Sequence, residues 1–464
     1  MLSFALFALL LVGLSDLVNF ATAKRLAGQG LHYLMLQRNG QVFAVGYNEN
    51  GQLGLNTVTK ALLPRAMLSV TNASDVSTGI QYSCLIDSQV KCTGNNDYYQ
   101  LGDGTITRRS MLTPVLGLDS GIEEVYCGYG GSCVRTKSGK AQCWGQFANV
   151  VRTSPVNITL PGGIQSISLG NEHACIVEVG GKLYCMGYNG YGRLGTGKKI
   201  TQPTPTQVVG LAAENIVSVA CGLQHTCAVN SAGAMFCWGA YSYGQLGDPS
   251  IFSNSFVPVQ VTGITSGAAF AWAGEYNSFA LMQSGTVWSF GGDVYGVFGT
   301  GSTSNQYVPI VFGKGVSGVV EIRGGYYTTC VLLQNDRVWC TGYNYFGQLG
   351  VGEGMASSHT LVEMVGIPVT HSPTTSPTLG PMAESTAAPA AELGPTWAAC
   401  AQTTLIPTKQ PTLVPTAQPT KTPTSPTTSS PTKRPTKAPT ATPTKRPTKA
   451  LTKKPTTAKP VAVF

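Results

Sequence analysis

Charged residues are scarce in this 464-residue chain: Asp, Glu, Lys and Arg make up 11% of it, and histidine occurs only 5 times. The segment 372–464 holds 11 of the 30 basic residues but only 2 of the 21 acidic ones, which accounts for the whole net charge of +9. The preceding residues are neutral, with 19 basic and 19 acidic side chains. A body without excess positive charge cannot neutralise many phosphates, so no nucleic-acid partner is expected.

Glycine is almost absent from the segment 372–464, which holds 2 of the 56 glycines but 18 of the 28 prolines. Pro-Thr pairs recur along it, often followed by lysine, as at 407–409 and 419–421. Proline fixes φ and lacks an amide donor, which excludes regular helix and sheet and leaves polyproline II. We therefore predict a disordered, O-glycosylated tail whose positive charge adheres to polyanionic polysaccharide.

Residues 1–23 are strongly apolar and lack Lys and Arg, and their longest apolar stretch is too short to span a bilayer comfortably. Small residues at Ala21 and Ala23 suit signal-peptidase cleavage before Lys24, with a signal anchor as the alternative. The C-terminal residues 461–464 are too short an apolar end for a membrane anchor. We predict a signal peptide over 1–23 and an extracellular protein, at the cell surface or cell wall, with no membrane span after cleavage.

Two N-glycosylation sequons fit a secreted chain, one at Asn72 and one at Asn157.

Recognisable catalytic arrangements are also lacking. No Ser/His/Asp set, carboxylate pair or phosphate-binding loop rises above chance, so we expect neither an enzyme nor a bound cofactor. Three histidines, His32, His173 and His225, occupy equivalent places in a repeat. They are too unevenly distributed around a ring for one metal site, and we predict structural roles for them.

Repetition is the strongest signal in the chain. A Gly-x-x-x-x-Gly-Gln-Leu-Gly pattern, complete or partly degraded, has leading glycines at positions 46, 94, 145, 187, 239, 291 and 342. Each copy contains short apolar runs with strand character and no helical period. A unit of this size cannot bury its own faces, whereas seven units packed radially can. We predict an all-β, seven-bladed β-propeller over 24–371, followed by the disordered tail.

The spacing within each copy predicts a hairpin register. If Cys227 lies opposite Cys237, Asn230 pairs with Ala234 and the three-residue loop ends at Gly233, where a left-handed conformation is required. The same register places Gly40, Gly139, Gly181, Gly285 and Asp336 at that position in other copies.

Ten of the 13 cysteines lie opposite each other in this register. The pairs are Cys84 and Cys92, Cys133 and Cys143, Cys175 and Cys185, Cys227 and Cys237, and Cys330 and Cys340. Copies one and six have no cysteine at either position, so cysteines are gained and lost in pairs, as a disulfide requires. Zinc is the alternative, but a hairpin supplies two ligands rather than four. Disulfides imply an oxidising compartment. Cys127, Cys221 and Cys400 remain, and the odd total leaves at least one without a partner in a monomer.

The Gly-x-Asn-x-x-Gly-Gln-Leu-Gly loops that follow Cys-Trp-Gly or Cys-Thr-Gly strands resemble the regulator of chromosome condensation repeat. This resemblance covers about three-quarters of the chain and implies that family's seven-bladed propeller. The family's propellers usually close by pairing strands from both chain ends. We therefore predict that residues 361–366 share a sheet with the strand preceding Gly28.

The nuclear founder of this family is a guanine-nucleotide exchange factor, which acts through an extra β-hairpin inserted in one blade. No interval here exceeds 52 residues, so that hairpin is not expected, although regulation of a small GTPase remains the alternative function. The cysteine pairs are more similar to those of secreted members such as the bacterial β-lactamase inhibitor propeller. Inhibition of a secreted enzyme is the third possibility.

Aromatic residues recur beside the leading glycines. Repeat symmetry places them on one rim of the propeller, where they predict a surface for protein or carbohydrate recognition, with packing inside each blade as the alternative. The candidate rim residues are Tyr47, Tyr98, Tyr188, Tyr191, Tyr243, Tyr295, Tyr343 and Phe346.

Overall fold

A computed structural model describes residues 24–147 and 150–368. The predicted signal peptide, the predicted tail and Cys400 lie outside the described residues. Apart from one turn of 3-10 helix, Phe312–Lys314, the regular structure is entirely strand. Nowhere in the described ranges is there a helix long and apolar enough to cross a membrane. Seven four-stranded sheets confirm the predicted all-β, seven-bladed propeller.

Each blade is a sheet of four consecutive antiparallel strands, hydrogen-bonded in chain order. The strands of blades 1 to 4 are Leu26–Ala27, His32–Leu36, Val42–Gly46 and Ala61–Ala66 (β1–β4); Asp75–Thr78, Tyr82–Asp87, Gln89–Gly94 and Arg109–Pro114 (β5–β8); Ile122–Cys127, Gly131–Thr136, Ala141–Phe147 and Val150–Ile158 (β9–β12); and Ile164–Leu169, His173–Glu178, Leu183–Gly187 and Gln202–Gln207 (β13–β16). The strands of blades 5 to 7 are Ile216–Cys221, His225–Asn230, Met235–Gly239 and Ser255–Gln260 (β17–β20); Ala268–Ala273, Asn277–Met282, Val287–Gly291 and Gln306–Val311 (β21–β24); and Val319–Gly324, Thr328–Leu333, Val338–Tyr343 and Ser357–Glu363 (β25–β28).

The hydrophobic core lies between the blades. The second strand of blade 5, β18, is buried along its whole length, whereas the fourth strand, β20, has no buried residue. One apolar cluster joins Cys227 and Met235 of blade 5 to Ala271 and Phe290 of blade 6. Because each blade buries its faces against its neighbours, the ring as a whole forms the core that a single unit cannot form.

The predicted hairpin register is confirmed. Cys227 lies opposite Cys237, and the Asn230 amide donates to the Ala234 carbonyl at 3.0 Å. Gly233 has a φ of +81°, and the equivalent Asp336 has a φ of +65°. The copies without cysteine keep the same register, with Leu34 opposite Ala44 in blade 1.

The structure joins the sulfur atoms of all five predicted cysteine pairs in disulfides, each across one hairpin between the second and third strands of its blade. The bonds join Cys84 to Cys92 in blade 2, Cys133 to Cys143 in blade 3, Cys175 to Cys185 in blade 4, Cys227 to Cys237 in blade 5, and Cys330 to Cys340 in blade 7. The bonded residues are direct partners in the strand register, as Cys84 and Cys92 are even though their hairpin is two residues shorter than the others. Each disulfide therefore locks the two central strands of one blade and joins no two blades.

Cys127 and Cys221 are buried free thiols at the ends of the first strands of blades 3 and 5. Burial raises the pKa of each thiol to about 12, so neither is a nucleophile at neutral pH.

The glycine-rich motif has a structural function. Gly239 adopts a φ of +108° at a bulge between β19 and β20, and a Cβ there would lie 2.6 Å from the Gln224 carbonyl oxygen. In the copy of blade 4, the Asn189 side chain accepts the Leu194 amide at 3.0 Å and donates to the Lys198 carbonyl at 2.6 Å. The motif therefore holds its own loop in shape.

The same motif also joins blade 4 to blade 5. The carbonyl of Arg193, in blade 4, accepts hydrogen bonds from the Trp238 indole at 2.9 Å and the Thr226 hydroxyl at 2.8 Å, both in blade 5. His173 of blade 4 contacts the same Thr226 hydroxyl through Nε2 at 2.8 Å. Since that hydroxyl donates to the carbonyl, it accepts from the imidazole, which fixes the tautomer.

His32 and His225 make the equivalent contacts with Ser83 and Ser278. Burial lowers the pKa of both His32 and His225 to about 3, so both imidazoles are neutral at physiological pH. The predicted structural role of the histidines is confirmed by these contacts between blades.

Ring closure differs from the prediction. β1 pairs with β2 of blade 1, and β28 pairs with β27 of blade 7 and forms one isolated bridge to blade 6, so the prediction of a sheet shared by the two chain ends is wrong. The physical reason is that β1 lies before the first hairpin and supplies the fourth strand of blade 1. Each blade therefore consists of four consecutive strands, and no strand from the other chain end is needed to complete one. Blade 7 instead accepts blade 1 through the Glu321 carboxylate, which receives the amides of Arg25 at 2.9 Å and Leu26 at 3.1 Å.

Further contacts close the same interface. The Tyr33 hydroxyl of blade 1 donates to the Thr328 carbonyl of blade 7 at 2.7 Å. Asp336 pairs with Arg25 at 2.8 Å and Arg38 at 2.9 Å. These polar contacts add to an apolar cluster that joins blade 1 to blade 7, with Met35 and Leu332 among its members.

Candidate functional site

One end of the propeller gathers two loops from every blade. The strands are antiparallel, so the loop between the first and second strands emerges at the same end as the loop between the third and fourth strands. We call this end the loop face. The motif loops, and with them all eight candidate rim residues, belong to it.

Seven aromatic rings on the loop face form one connected group across blades 6, 7 and 1. Tyr295 of blade 6 lies 4.9 Å from Tyr327 and 5.0 Å from Tyr343, both of blade 7, measured between ring centroids. Phe346 of blade 7 lies 4.8 Å from Tyr47 of blade 1. We call this group the aromatic cluster; its members are Tyr47, Tyr295, Tyr326, Tyr327, Tyr343, Tyr345 and Phe346.

None of the rings in the aromatic cluster is fully buried. Tyr345 is 61% exposed, the largest exposure in the group. Most of the ring pairs are edge-on or tilted, as for Tyr47 and Phe346 at 66°. The rings therefore pack on one another both within blade 7 and across to blades 6 and 1, and each remains partly exposed.

The other candidate rim residues contact further side chains of the loop face, and Tyr98 lines a cavity of about 360 Å³ together with Tyr47 and Tyr326. Tyr98 is near Tyr129, with ring centroids 6.5 Å apart, and Tyr243 packs on Tyr276 at 4.6 Å. Tyr188 and Tyr191 lie on either side of the buried Arg193 guanidinium, with centroids 5.0 and 5.5 Å from it. These two contacts are cation–π interactions that stabilise the motif loop of blade 4.

Sequence reasoning missed several aromatic residues of the loop face. Tyr129, Tyr276, Tyr326 and Tyr327 lie in the loops between first and second strands, and Tyr345 lies beside a predicted position. A signal for them exists, since each of the first four follows the glycine that ends or succeeds a first strand.

An acidic side chain lies beside these tyrosines. Burial raises the pKa of the Glu275 carboxyl to about 7, against a smaller lowering by the Tyr276 hydroxyl. Burial and then the charge of Glu275 raise the pKa of Tyr326 to about 12 and also raise that of Tyr327. Glu275 therefore brings a titratable carboxylate to the aromatic surface near neutral pH.

The central channel of the propeller contains a cavity of about 280 Å³, which is lined mainly by the first strands of the blades. Its charged side chains are paired with neighbours. Arg323 contacts Glu321 at 3.2 Å and lies 4.8 Å from the ring centroid of Trp272, and Lys24 pairs with Asp75 at 3.2 Å. The charges of the channel serve the packing of the inner strands.

A group of metal-ligating atoms lies within 4.8 Å of one another at His173, Cys175 and Cys221. The sulfur of Cys175 is bound to Cys185, which removes a thiolate from the set. The remaining two side chains do not make a metal site. Both N-glycosylation sequons are accessible: Asn72 and Asn157 are exposed.

Two family models, each described as the regulator of chromosome condensation (RCC1) repeat, match the chain. The first matches residues 39–86, 180–229 and 232–281, and the second matches 164–193, 216–245 and 319–348.

Among characterised proteins, the chain is similar to the ultraviolet-B receptor UVR8 of Arabidopsis thaliana. The two are 27% identical over 345 residues, which cover 70% of this chain and 78% of that protein. It is also similar to the probable E3 ubiquitin-protein ligase HERC4 of Homo sapiens, at 30% identity over 255 residues. That match covers 53% of this chain but only 20% of the ligase.

Among solved structures, the chain is similar to yeast RCC1 (Prp20), crystallised with Kap60 bound. The TM-score is 0.63 at 16% identity, over 73% of this chain and 85% of that chain. At this level of identity the likeness shows the fold alone.

Proposed function

We propose that this chain, a seven-bladed propeller that contains RCC1 repeats, is a non-catalytic binding module that recognises a partner protein through its loop face. The observation that carries the proposal is the aromatic cluster, which spans three blades at the surface. The Gly-x-Asn and Gln-Leu-Gly positions are occupied in holding the loops and joining the blades. Every ring of the aromatic cluster, by contrast, is partly exposed.

The chemistry of the aromatic cluster suits a protein partner. Tyrosine offers a large, rigid contact area with a hydroxyl at its edge, and such residues dominate the binding energy of many protein interfaces. A carbohydrate needs exposed ring faces for stacking, whereas these rings are mostly edge-on or tilted to one another.

The test uses Tyr345, which is 61% exposed, and a control at Tyr307, which is 47% exposed on the outer strand β24. Each full-length variant, Tyr345→Ala and Tyr307→Ala, is immobilised and used to capture proteins from the extracellular medium of its source. Loss of a central hot-spot residue lowers affinity by about tenfold or more. We expect Tyr345→Ala to lose the captured protein and Tyr307→Ala to retain it.

Equal capture by both variants would contradict the proposal. The melting temperatures of the two variants serve as the control for folding. Neither side chain is buried, so we expect both variants to have the same melting temperature as the wild type.

The site of action that we propose is extracellular, at the cell surface or wall. Support comes from the apolar residues 1–23 and from the hairpin cysteines, whose sulfur atoms lie within bonding distance. Disulfides persist in oxidising compartments and are rare in the cytosol. The segment 372–464, with its net charge of +9, would hold the propeller near polyanionic polysaccharide through attraction that salt screens.

A further inference from the structure

A small pocket lies where the loops of the inner strands meet on the loop face. Its volume is about 30 Å³, and Gln29, Asn171, Glu275 and Tyr326 are among the residues that line it. These side chains come from blades 1, 4, 6 and 7, so the pocket exists only when the ring is closed. We call it the Glu275 pocket.

Hydrogen-bond acceptors in the Glu275 pocket lack donors. The Oε2 atom of Glu275 and the Oδ1 atom of Asn171 are both buried without a hydrogen-bond partner. Of the ion pairs formed within residues 24–147 and 150–368, none includes Glu275. Leaving a buried acceptor without a donor is unfavourable, because the oxygen has lost its hydrogen bonds to water. Two such acceptors at one place favour a ligand that brings donors and positive charge.

Aromatic rings border the same carboxylate. The charge of Glu275 raises the pKa of Tyr276, Tyr326 and Tyr327, after the larger effect of burial on each. The rings of Tyr326 and Tyr327 lie 5.9 Å apart, centroid to centroid. Aromatic faces attract cations, and the attraction grows when water is excluded.

We propose that the Glu275 pocket binds the side-chain ammonium group of a lysine presented by the partner protein. The group carries three donors and no acceptor, which matches the carboxylate and amide oxygens. An ammonium group also concentrates its charge at one atom on a flexible stem, whereas a guanidinium spreads its charge over a rigid planar group. This inference rests on the proposed function of the loop face and assigns the chemistry at its centre.

The probe is the peptide acetyl-Gly-Lys-Gly-amide, titrated into the full-length protein and followed by NMR or calorimetry. Its Nε-acetylated form and an arginine analogue are the comparison ligands. Lysine keeps its charge at both pH 8.5 and pH 5.5, whereas the Glu275 carboxyl, with a pKa of about 7, is ionised only at the higher pH. We expect the lysine peptide to bind at least about tenfold more tightly at pH 8.5 than at pH 5.5. At pH 8.5 we expect it to bind about tenfold more tightly than either comparison ligand.

The matched variants are Glu275→Gln and Glu172→Gln. Glu172 is a carboxylate of the same face, 43% exposed and 3.7 Å from Arg193. We expect Glu275→Gln to weaken lysine binding about tenfold and to abolish its pH dependence, whereas Glu172→Gln behaves as the wild type. The pH and acetylation comparisons use the wild type alone, so they decide the matter even if Glu275→Gln fails to fold.

Three results would overturn the lysine site: no binding of the peptide, equal binding of the acetylated or arginine peptide, or unchanged binding by Glu275→Gln. Its failure is distinguishable from failure of the proposed function. Capture that depends on Tyr345 but not on Glu275 refutes the lysine site alone. Lysine binding with capture that ignores Tyr345 refutes recognition of the partner through the aromatic cluster.

Discussion

Replacing Glu321 with alanine tests how the ring is closed. The carboxylate accepts the backbone amides of Arg25 and Leu26 from blade 1, and it pairs with Arg323 at 3.2 Å. A hydrogen bond to a charged acceptor contributes about 1.5–3 kcal/mol. The side chain is 16% exposed toward the channel, where water can partly replace it, so for the two bonds together we expect Glu321→Ala to lower the free energy of unfolding by about 2–4 kcal/mol.

The assay is urea unfolding without reductant, followed by the fluorescence of the buried Trp144 and Trp238. A lower midpoint with an unchanged slope reports lost stability in one cooperative unit. The control is Glu363→Ala, in the same blade, whose carboxylate pairs with Arg337 at 3.3 Å with both side chains about one-third exposed. A surface pair of this kind contributes about 0–1 kcal/mol. Equal midpoints for the two variants would refute closure through Glu321.

Two further predictions concern the cysteines and the tail. In native protein, Cys127 and Cys221 should resist iodoacetamide because both are buried with a pKa of about 12. In urea without reductant these two should react, while the 10 hairpin cysteines do not. Alkylated hairpin cysteines in the peptide mass map would contradict both the disulfides and the proposed export. The full-length chain should be retained on an acidic polysaccharide at low salt and released at high salt, whereas a chain truncated before Ser372 should pass through; equal retention would refute adhesion through the tail.

The sequence predicts structure best where a backbone conformation requires a particular residue type at one position. The left-handed loop residue at Gly233 and the paired positions Cys227 and Cys237 recur in register, so the hairpins and the number of blades could be predicted. Both requirements concern residues within one hairpin, and the pattern remains recognisable in the other copies when one copy departs from it. The leading glycines, such as Gly239, were recognisable as a motif, although their role in a bulge became clear only with the neighbouring loop in place.

Ring closure and the centre of the loop face could not be predicted in this way. A repeat pattern does not show where the circle is cut, and β1 contributes only two paired residues. Glu275 and Tyr326 line the same pocket from different blades, and no spacing within one copy specifies that they meet there. The aromatic cluster was partly predictable. Tyr295 and Tyr343 belong to the repeated glycine motif, whereas Tyr327 lies outside it, in the loop between the first and second strands of blade 7.

The central claim is that the loop face, through its aromatic cluster, is the surface that binds a partner. Photo-cross-linking tests it most directly, with a photo-reactive phenylalanine analogue placed at either Tyr345 or Tyr307 in full-length protein exposed to its native extracellular medium. The account predicts a covalent adduct with a protein from position 345 and none from position 307. An adduct from position 307 alone, or equal adducts from both, would contradict it.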